Sequence, residues 1–110
     1  MMTGKTIIFY QSETGEEPAL NWFLSLRDKI HRHRIQARID RMKQGNYGDF
    51  KRFHGIIEIR MDFGKGYRIY CAEEGNVLVV LLAGGDKTTQ EKDIKKALEY
   101  WRDYHDQKKI

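Results

Sequence analysis

The hydrophobic positions switch between a period of two and a period of three to four, and the switches mark the elements. Residues 6–10, Thr-Ile-Ile-Phe-Tyr, are β-branched or aromatic and predict a short strand. A polar stretch with Gly15 follows. Pro18 suits the first turn of a helix, where its missing N–H would have had no partner. Glu16 and Glu17 precede it, beside the positive end of the helix. Trp22, Phe23, Leu26 and Ile30 recur at helical spacing. Asp28 offers a second cap, followed by Ile35, Ile39 and Met42 at i, i+4 and i+7. The spacing predicts two helices, over 18–26 and 29–44, or one kinked helix. Gly45 stands where a helix end takes a left-handed residue.

From Gly55 the period becomes two. Ile57, Ile59 and Met61 alternate with Glu58 and Arg60; Tyr67, Ile69 and Cys71 alternate with Arg68, Tyr70 and Ala72. Turns at 64–66 and 73–76 lead on to residues 77–83, which are apolar on both faces. The pattern predicts a three-strand meander whose last strand is central or covered. Thr88 and Glu91 have capping-box spacing, and Ile94, Ala97, Leu98 and Trp101 then trace an amphipathic helix. The string β-α-α-β-β-β-α describes an α+β domain, a mostly antiparallel sheet with helices packed on one face.

With 110 residues the chain supports a single domain, 1–110. Its longest apolar run has seven residues, against about 20 for a membrane span. The first ten residues lack a signal-peptide core, so a cytoplasmic setting without membrane partners is expected. One cysteine, Cys71, excludes an internal disulfide framework and a cysteine-rich zinc module, and it reads as a core thiol.

The net charge is only +4, but it is concentrated: residues 27–43 hold seven cations against Asp28 and Asp40. Arg34, Arg38 and Arg41 lie in that block, which reads either as an anion-binding helix or as an ordinary solvated face. If helices cover one sheet face, Glu58, Arg60 and Arg68 cluster on the other. Asp86 and Lys87 leave the last strand near the same edge, and Lys51 and Arg52 precede the meander on a loop. Arginine forks with one carboxylate suit phosphodiester chemistry without a metal. The cations hold the charge that grows at phosphorus, and a Glu or Lys takes the proton from a ribose 2′-OH. Tyr47, Phe50, Phe53 and Tyr70 offer faces for RNA bases. The alternative is a set of cross-strand ion pairs on a wet face. His31 and His33, at i and i+2 of a helix, face apart and read as solvated rather than as metal ligands.

Several segments together resemble the RelE/ParE superfamily of bacterial toxins, and within it the phage-derived Gp49-like group, also called HigB-like addiction-module killer proteins. They are Thr14-Gly15 with Pro18 and Trp22, Leu26-Arg27-Asp28, residues 37–42 and 45–51, Glu58-Ile59-Arg60, residues 64–70, residues 81–90 and Asp93-Ile94. The resemblance spans almost the whole chain in order.

It implies the toxin of a type II toxin–antitoxin module, an endoribonuclease that needs no metal or other cofactor and cuts mRNA on the ribosome. It also implies a cognate antitoxin of helix-turn-helix type. By the same resemblance Arg68 holds the scissile phosphate, Arg60 and Lys87 occupy basic positions of the site, Lys51 is a basic loop residue, and Glu58 is a candidate base. Where many members carry a terminal Tyr or His, this chain runs into Gly84-Gly85-Asp86-Lys87 and a further helix. Asp86, Lys87 or His54 would then move the proton. Two alternatives come with the fold: a non-catalytic ParE-like inhibitor of DNA gyrase, and a degenerate phage protein that only binds a helix-turn-helix antitoxin.

Overall fold

The computed structural model describes residues 4–109. Residues 1–3 and 110 of the domain expected over 1–110 lie outside the described residues. In chain order the elements are β1 (Thr6–Phe9), α1 (Pro18–Ser25), α2 (Lys29–Met42), β2 (Phe50–Phe53), β3 (Ile56–Arg60), β4 (Arg68–Glu74), β5 (Leu78–Gly85) and α3 (Gln90–Gln107). The five strands form one sheet in the order β1-β5-β4-β3-β2. Only β1 and β5 pair in parallel; the other neighbours are antiparallel. The architecture is α+β.

The helical reading of residues 18–44 holds as two helices. Pro18 opens α1, and the Asp28 carboxylate accepts hydrogen bonds from the Ile30 and His31 amides at the start of α2. Gly45 takes φ +84° after α2, a conformation that costs a side-chain-bearing residue energy. The capping box does not form. Helix α3 starts one residue later than expected, with Thr89 at its N-cap, and Thr88 bonds to Asp86 instead.

Two features differ from the pattern-based expectation. Residues 50–53 form an edge strand rather than a loop. Phe50 and Phe53 lie three apart and hide the period of two; the turn that closes the β2–β3 hairpin shows better why it forms. His54 and Gly55 both take positive φ, +53° and +82°, the combination that matches the twist of paired strands.

Secondly, the helices lie on both faces. Ile57, Ile59, Ile69, Cys71, Val79 and Leu81 pack under α1 and α2. Ile56, Tyr70, Ala72, Val80 and Leu82 pack under α3, against Ala97 with Ile94, Leu98 and Trp101 alongside. Strand β5 and the middle of β4 are apolar on both sides, so one helical layer would leave half of that surface in water. A bulge at Leu82 adjusts the pairing, with Tyr70 opposite Ala83 but Cys71 opposite Leu81. Among the described residues no helix is long and apolar enough to cross a membrane.

Candidate functional site

Strand register brings three of the expected residues together. Glu58 pairs with Tyr70 and Arg60 with Arg68, so all four share the face that α3 covers. That face is not the open surface anticipated from the pattern. Glu58 is only 2% exposed. Its Oε1 accepts from Arg60 Nε at 2.8 Å, and its Oε2 accepts from the Tyr70 hydroxyl and from Gln90 Nε2, each at 3.0 Å. Burial by itself would raise the Glu58 carboxyl. The hydrogen bonds from Arg60, Gln90 and Tyr70 outweigh it and hold the group below the usual carboxylate range. Glu58 is therefore an ionised anchor that aims Arg60, and both its oxygens are engaged.

Arg68 is 9% exposed. Its Nη1 donates to three backbone carbonyls, those of Met61, Gly66 and Tyr67, at 3.2, 3.0 and 3.0 Å. Its Nε is buried with no hydrogen-bond partner. Among the described residues no carboxylate lies within ion-pair distance of it. The guanidinium thus ties down the β3–β4 connection and keeps its charge uncompensated. A buried guanidinium normally has a carboxylate beside it.

Two more cations stand near this end of the sheet. Lys51 pairs with Glu58 from the edge strand and is exposed. Lys87 is also exposed, and its side-chain carbons lie over Gly66, where a Cβ would come within 2.6–2.8 Å of them. Gly66, whose carbonyl Arg68 holds, takes φ +74°. Asp86 is engaged by the turn that follows it. Its Oδ1 accepts from the Thr88 amide and hydroxyl, and the Thr88 hydroxyl bond leads in holding its carboxyl low. The short run Gly84-Gly85 lets other side chains close in: Trp22 packs on Gly84, and Asp93 of α3 packs on Gly85, which pairs with Arg68.

Other expected residues lie elsewhere. His54 sits in the β2–β3 turn, beyond Ile56, which is itself roughly 13 Å of strand from Arg60. It takes no part in this cluster, because a hairpin puts its turn and its open end at opposite ends of the ladder. Arg52 points to the opposite face from Lys51, bonding Glu73 at 2.8 Å beside the Tyr47 hydroxyl. That Arg52 bond leads in lowering the Glu73 carboxyl. Of the four proposed stacking faces, Tyr47 and Tyr70 are buried, Phe53 is half-buried, and Phe50 is exposed.

Arg34, Arg38 and Arg41 line a shallow groove of about 300 Å³ with Asp62 and Phe63. The three are not equivalent. Arg38 donates to the carbonyls of Arg60, Tyr47 and Asp49, and burial lowers its pKa. It is a strut between α2 and the sheet. Arg34 stacks on Phe63 at 3.9 Å from the ring centroid, and Arg41 is exposed. Cys71 is buried as expected, and burial pushes its thiol up to about 12.

Gln90 and Asp93 were not legible as site residues, since helical spacing marks them only as polar positions. Nor was His31. It is no solvated partner of His33: its Nδ1 lies 2.9 Å from the Tyr67 hydroxyl. Among the described residues no three His, Cys, Asp or Glu side chains group to hold a metal ion.

The fold and this cluster define a small α+β protein with a basic, partly buried site at one end of a five-stranded sheet. An uncharacterized protein of Haemophilus influenzae is 49% identical over 78 residues, which cover 70% of this chain and 79% of that protein. The chain belongs to the same family as that protein. No family model and no solved structure matches this chain.

Proposed function

We propose that this protein is the toxin of a type II toxin–antitoxin module, built on the RelE plan with an added edge strand and C-terminal helix, and that it cuts mRNA without a metal. One observation carries the reading. Arg68 is buried with no carboxylate partner and stands directly opposite Arg60. The Arg60 guanidinium turns to Glu58 and that of Arg68 to the β3–β4 carbonyls, so a phosphate seated between the two strands would meet both cations. Glu58 is taken up by Arg60, so the surplus positive charge suits a phosphate.

In the reaction the ribose 2′ oxygen attacks phosphorus, and the bond from phosphorus to the 5′ oxygen breaks. One proton leaves the 2′-OH and one is delivered to the departing 5′ oxygen. The products are a 2′,3′-cyclic phosphate and a 5′-OH. Arg60 and Arg68 bind the non-bridging oxygens and stabilise the added charge. Lys51 and Lys87 extend the positive surface along the strand of RNA. Arg34 and Arg41 on α2 supply a second surface for ribosomal RNA or for an acidic segment of a helix-turn-helix antitoxin.

A second reading rests on Glu58, whose oxygens are all engaged and which is a poor proton acceptor in this state. It makes the protein a toxin that acts by binding, on DNA gyrase or through an antitoxin alone.

Cell-free translation of a defined mRNA with the purified protein separates the two. Cuts with 5′-OH ends, mapped by primer extension and absent with Arg68→Ala, support the nuclease. Intact mRNA with normal translation turns the question to a gyrase supercoiling assay.

A further inference from the structure

A cleft of about 530 Å³ opens between the connection from α1 to α2 and the connection from β3 to β4. Trp22, Leu26 and Tyr67 supply its apolar wall, and His31, Arg27 and Lys65 its polar groups. The volume is that of a small-molecule site. Asp28 and Asp86 also line it, their carboxylates held by neighbouring donors; the Thr88 hydrogen bond first, and the Lys65 charge as well, keep the Asp86 carboxyl low. Asp28 caps α2 through the Ile30 and His31 amides and lies 3.5 Å from the His31 ring, and Asp86 holds Thr88. Arg27 and Lys65 have no carboxylate within ion-pair distance among the described residues.

The cleft floor is built closely. Tyr67 meets Trp22 edge-on at 6.2 Å between centroids and His31 at 5.4 Å. Gly64, at φ +58°, lies so near that a Cβ would come within 2.7 Å of both the His31 and the Tyr67 rings. The hydrogen bond between His31 Nδ1 and the Tyr67 hydroxyl fixes the imidazole, and its Nε2 has no hydrogen-bond partner among the described residues. The same loop ties the cleft to the arginine cluster: Gly64, Lys65 and Tyr67 line the cleft, while Arg68 grips the carbonyls of Gly66 and Tyr67.

An aromatic wall, one oriented ring nitrogen and two cations without a carboxylate in ion-pair contact match the parts of a nucleotide. We propose that this cleft is a nucleotide-binding pocket. A nucleobase lies against Trp22 and Tyr67 with His31 Nε2 at its edge, and Arg27 and Lys65 take the attached phosphate. Its place beside the cleaved bond rests on the nuclease reading: the pocket then takes the base next to the phosphate held by Arg60 and Arg68 and sets sequence preference. The pocket itself stands on the cleft.

The test is titration of the full chain with AMP, GMP, CMP and UMP, and with ribose 5-phosphate, followed by calorimetry and by the His31 ring signals in NMR. The expected result is saturable binding of at least one nucleotide, tighter than ribose 5-phosphate, with the His31 signals shifting. Arg27→Ala and Lys65→Ala, both at exposed positions, should each weaken it about five-fold. Tyr67→Phe, which keeps the ring, should change the ranking of the four bases. Equal binding of ribose 5-phosphate reduces the site to an anion contact and overturns the proposal. So does binding that ignores the Arg27 and Lys65 substitutions, or no saturation by any nucleotide. Binding with intact mRNA in the translation assay removes the nuclease and leaves the pocket; cleavage without binding does the reverse.

Discussion

Arg60 and Arg68 stand opposite each other on β3 and β4, yet only Arg60 is neutralised, by Glu58 at 2.8 Å. Arg68 instead holds three carbonyls of the β3–β4 connection and leaves its Nε unpaired. The two arginines therefore respond differently to substitution.

Arg68→Ala should abolish growth arrest when the protein is expressed. It should also lower stability by about 2 kcal/mol, because three buried carbonyls lose a charged donor. Arg68→Lys keeps the charge without the fork and should remain folded while still losing most activity. Growth curves beside urea unfolding of both variants check this. Full toxicity of a folded Arg68→Lys protein would separate Arg68 from the phosphate.

Arg60→Ala should raise the Glu58 pKa, because it removes the leading hydrogen bond that lowers it while burial continues to raise it. The carboxyl carbon of Glu58, followed by NMR as pH is varied, reports the shift directly. Arg60→Ala combined with Glu58→Gln should recover part of the lost stability, since no buried charge is then left unpaired.

Stability should fall in acid. Glu58 and Glu73 both have folded pKa values below their ordinary 4.5. Each contributes stability that is present above pH 4.5 and is lost as pH falls through that value toward the folded one. Urea midpoints should hold nearly level from pH 7 to 5 and decline from there to pH 3. Glu58→Gln should flatten the decline.

Gly85→Ala should destabilise the fold by about 2 kcal/mol, since the new Cβ would run into the Asp93 carboxylate and the Thr89 hydroxyl. Thermal unfolding measures it. Gly75→Ala, where a Cβ meets nothing within 4 Å but φ is +66°, should be milder.

Replacing Arg34 and Arg41 with alanine should weaken ribosome association. It should also make the logarithmic salt slope shallower by about one for each phosphate that is no longer neutralised. Arg38→Ala belongs to another class. It should lower stability first, because Arg38 holds the carbonyls of Arg60, Tyr47 and Asp49. An unchanged salt slope in the double variant would take α2 off the RNA surface.

Much of the fold was legible in local order. Pro18, Asp28 and Gly45 bounded two helices because caps and breakers act on the backbone within a few residues. The alternation of Glu58 and Arg60 with Ile57 and Ile59, and of Arg68 and Tyr70 with Ile69, put each pair on one face of its strand, and the register placed the four together. The β2 strand is not legible in the pattern because its two phenylalanines are out of phase with the pleat. The His54-Gly55 turn that pairs it relies on a positive φ at a non-glycine residue, which no residue name announces.

What sequence determined by itself is the set of elements apart from β2, the buried stripes and the order of charges along the chain, because these depend on periodicity and near neighbours. Only the tertiary structure decided which layer covers which face. Residues 77–83 are apolar on both faces, but the pattern predicts helices on one face only, and α3's choice of the Glu58 face is a packing outcome. That choice turned an expected open cation surface into a half-buried one. It also set Gln90 against Glu58 and brought Asp93 to Gly85, while the docking of α2 on the other face joined His31 to Tyr67 across 36 residues. Such pairings depend on where helices dock in space, and spacing along a chain carries no record of that.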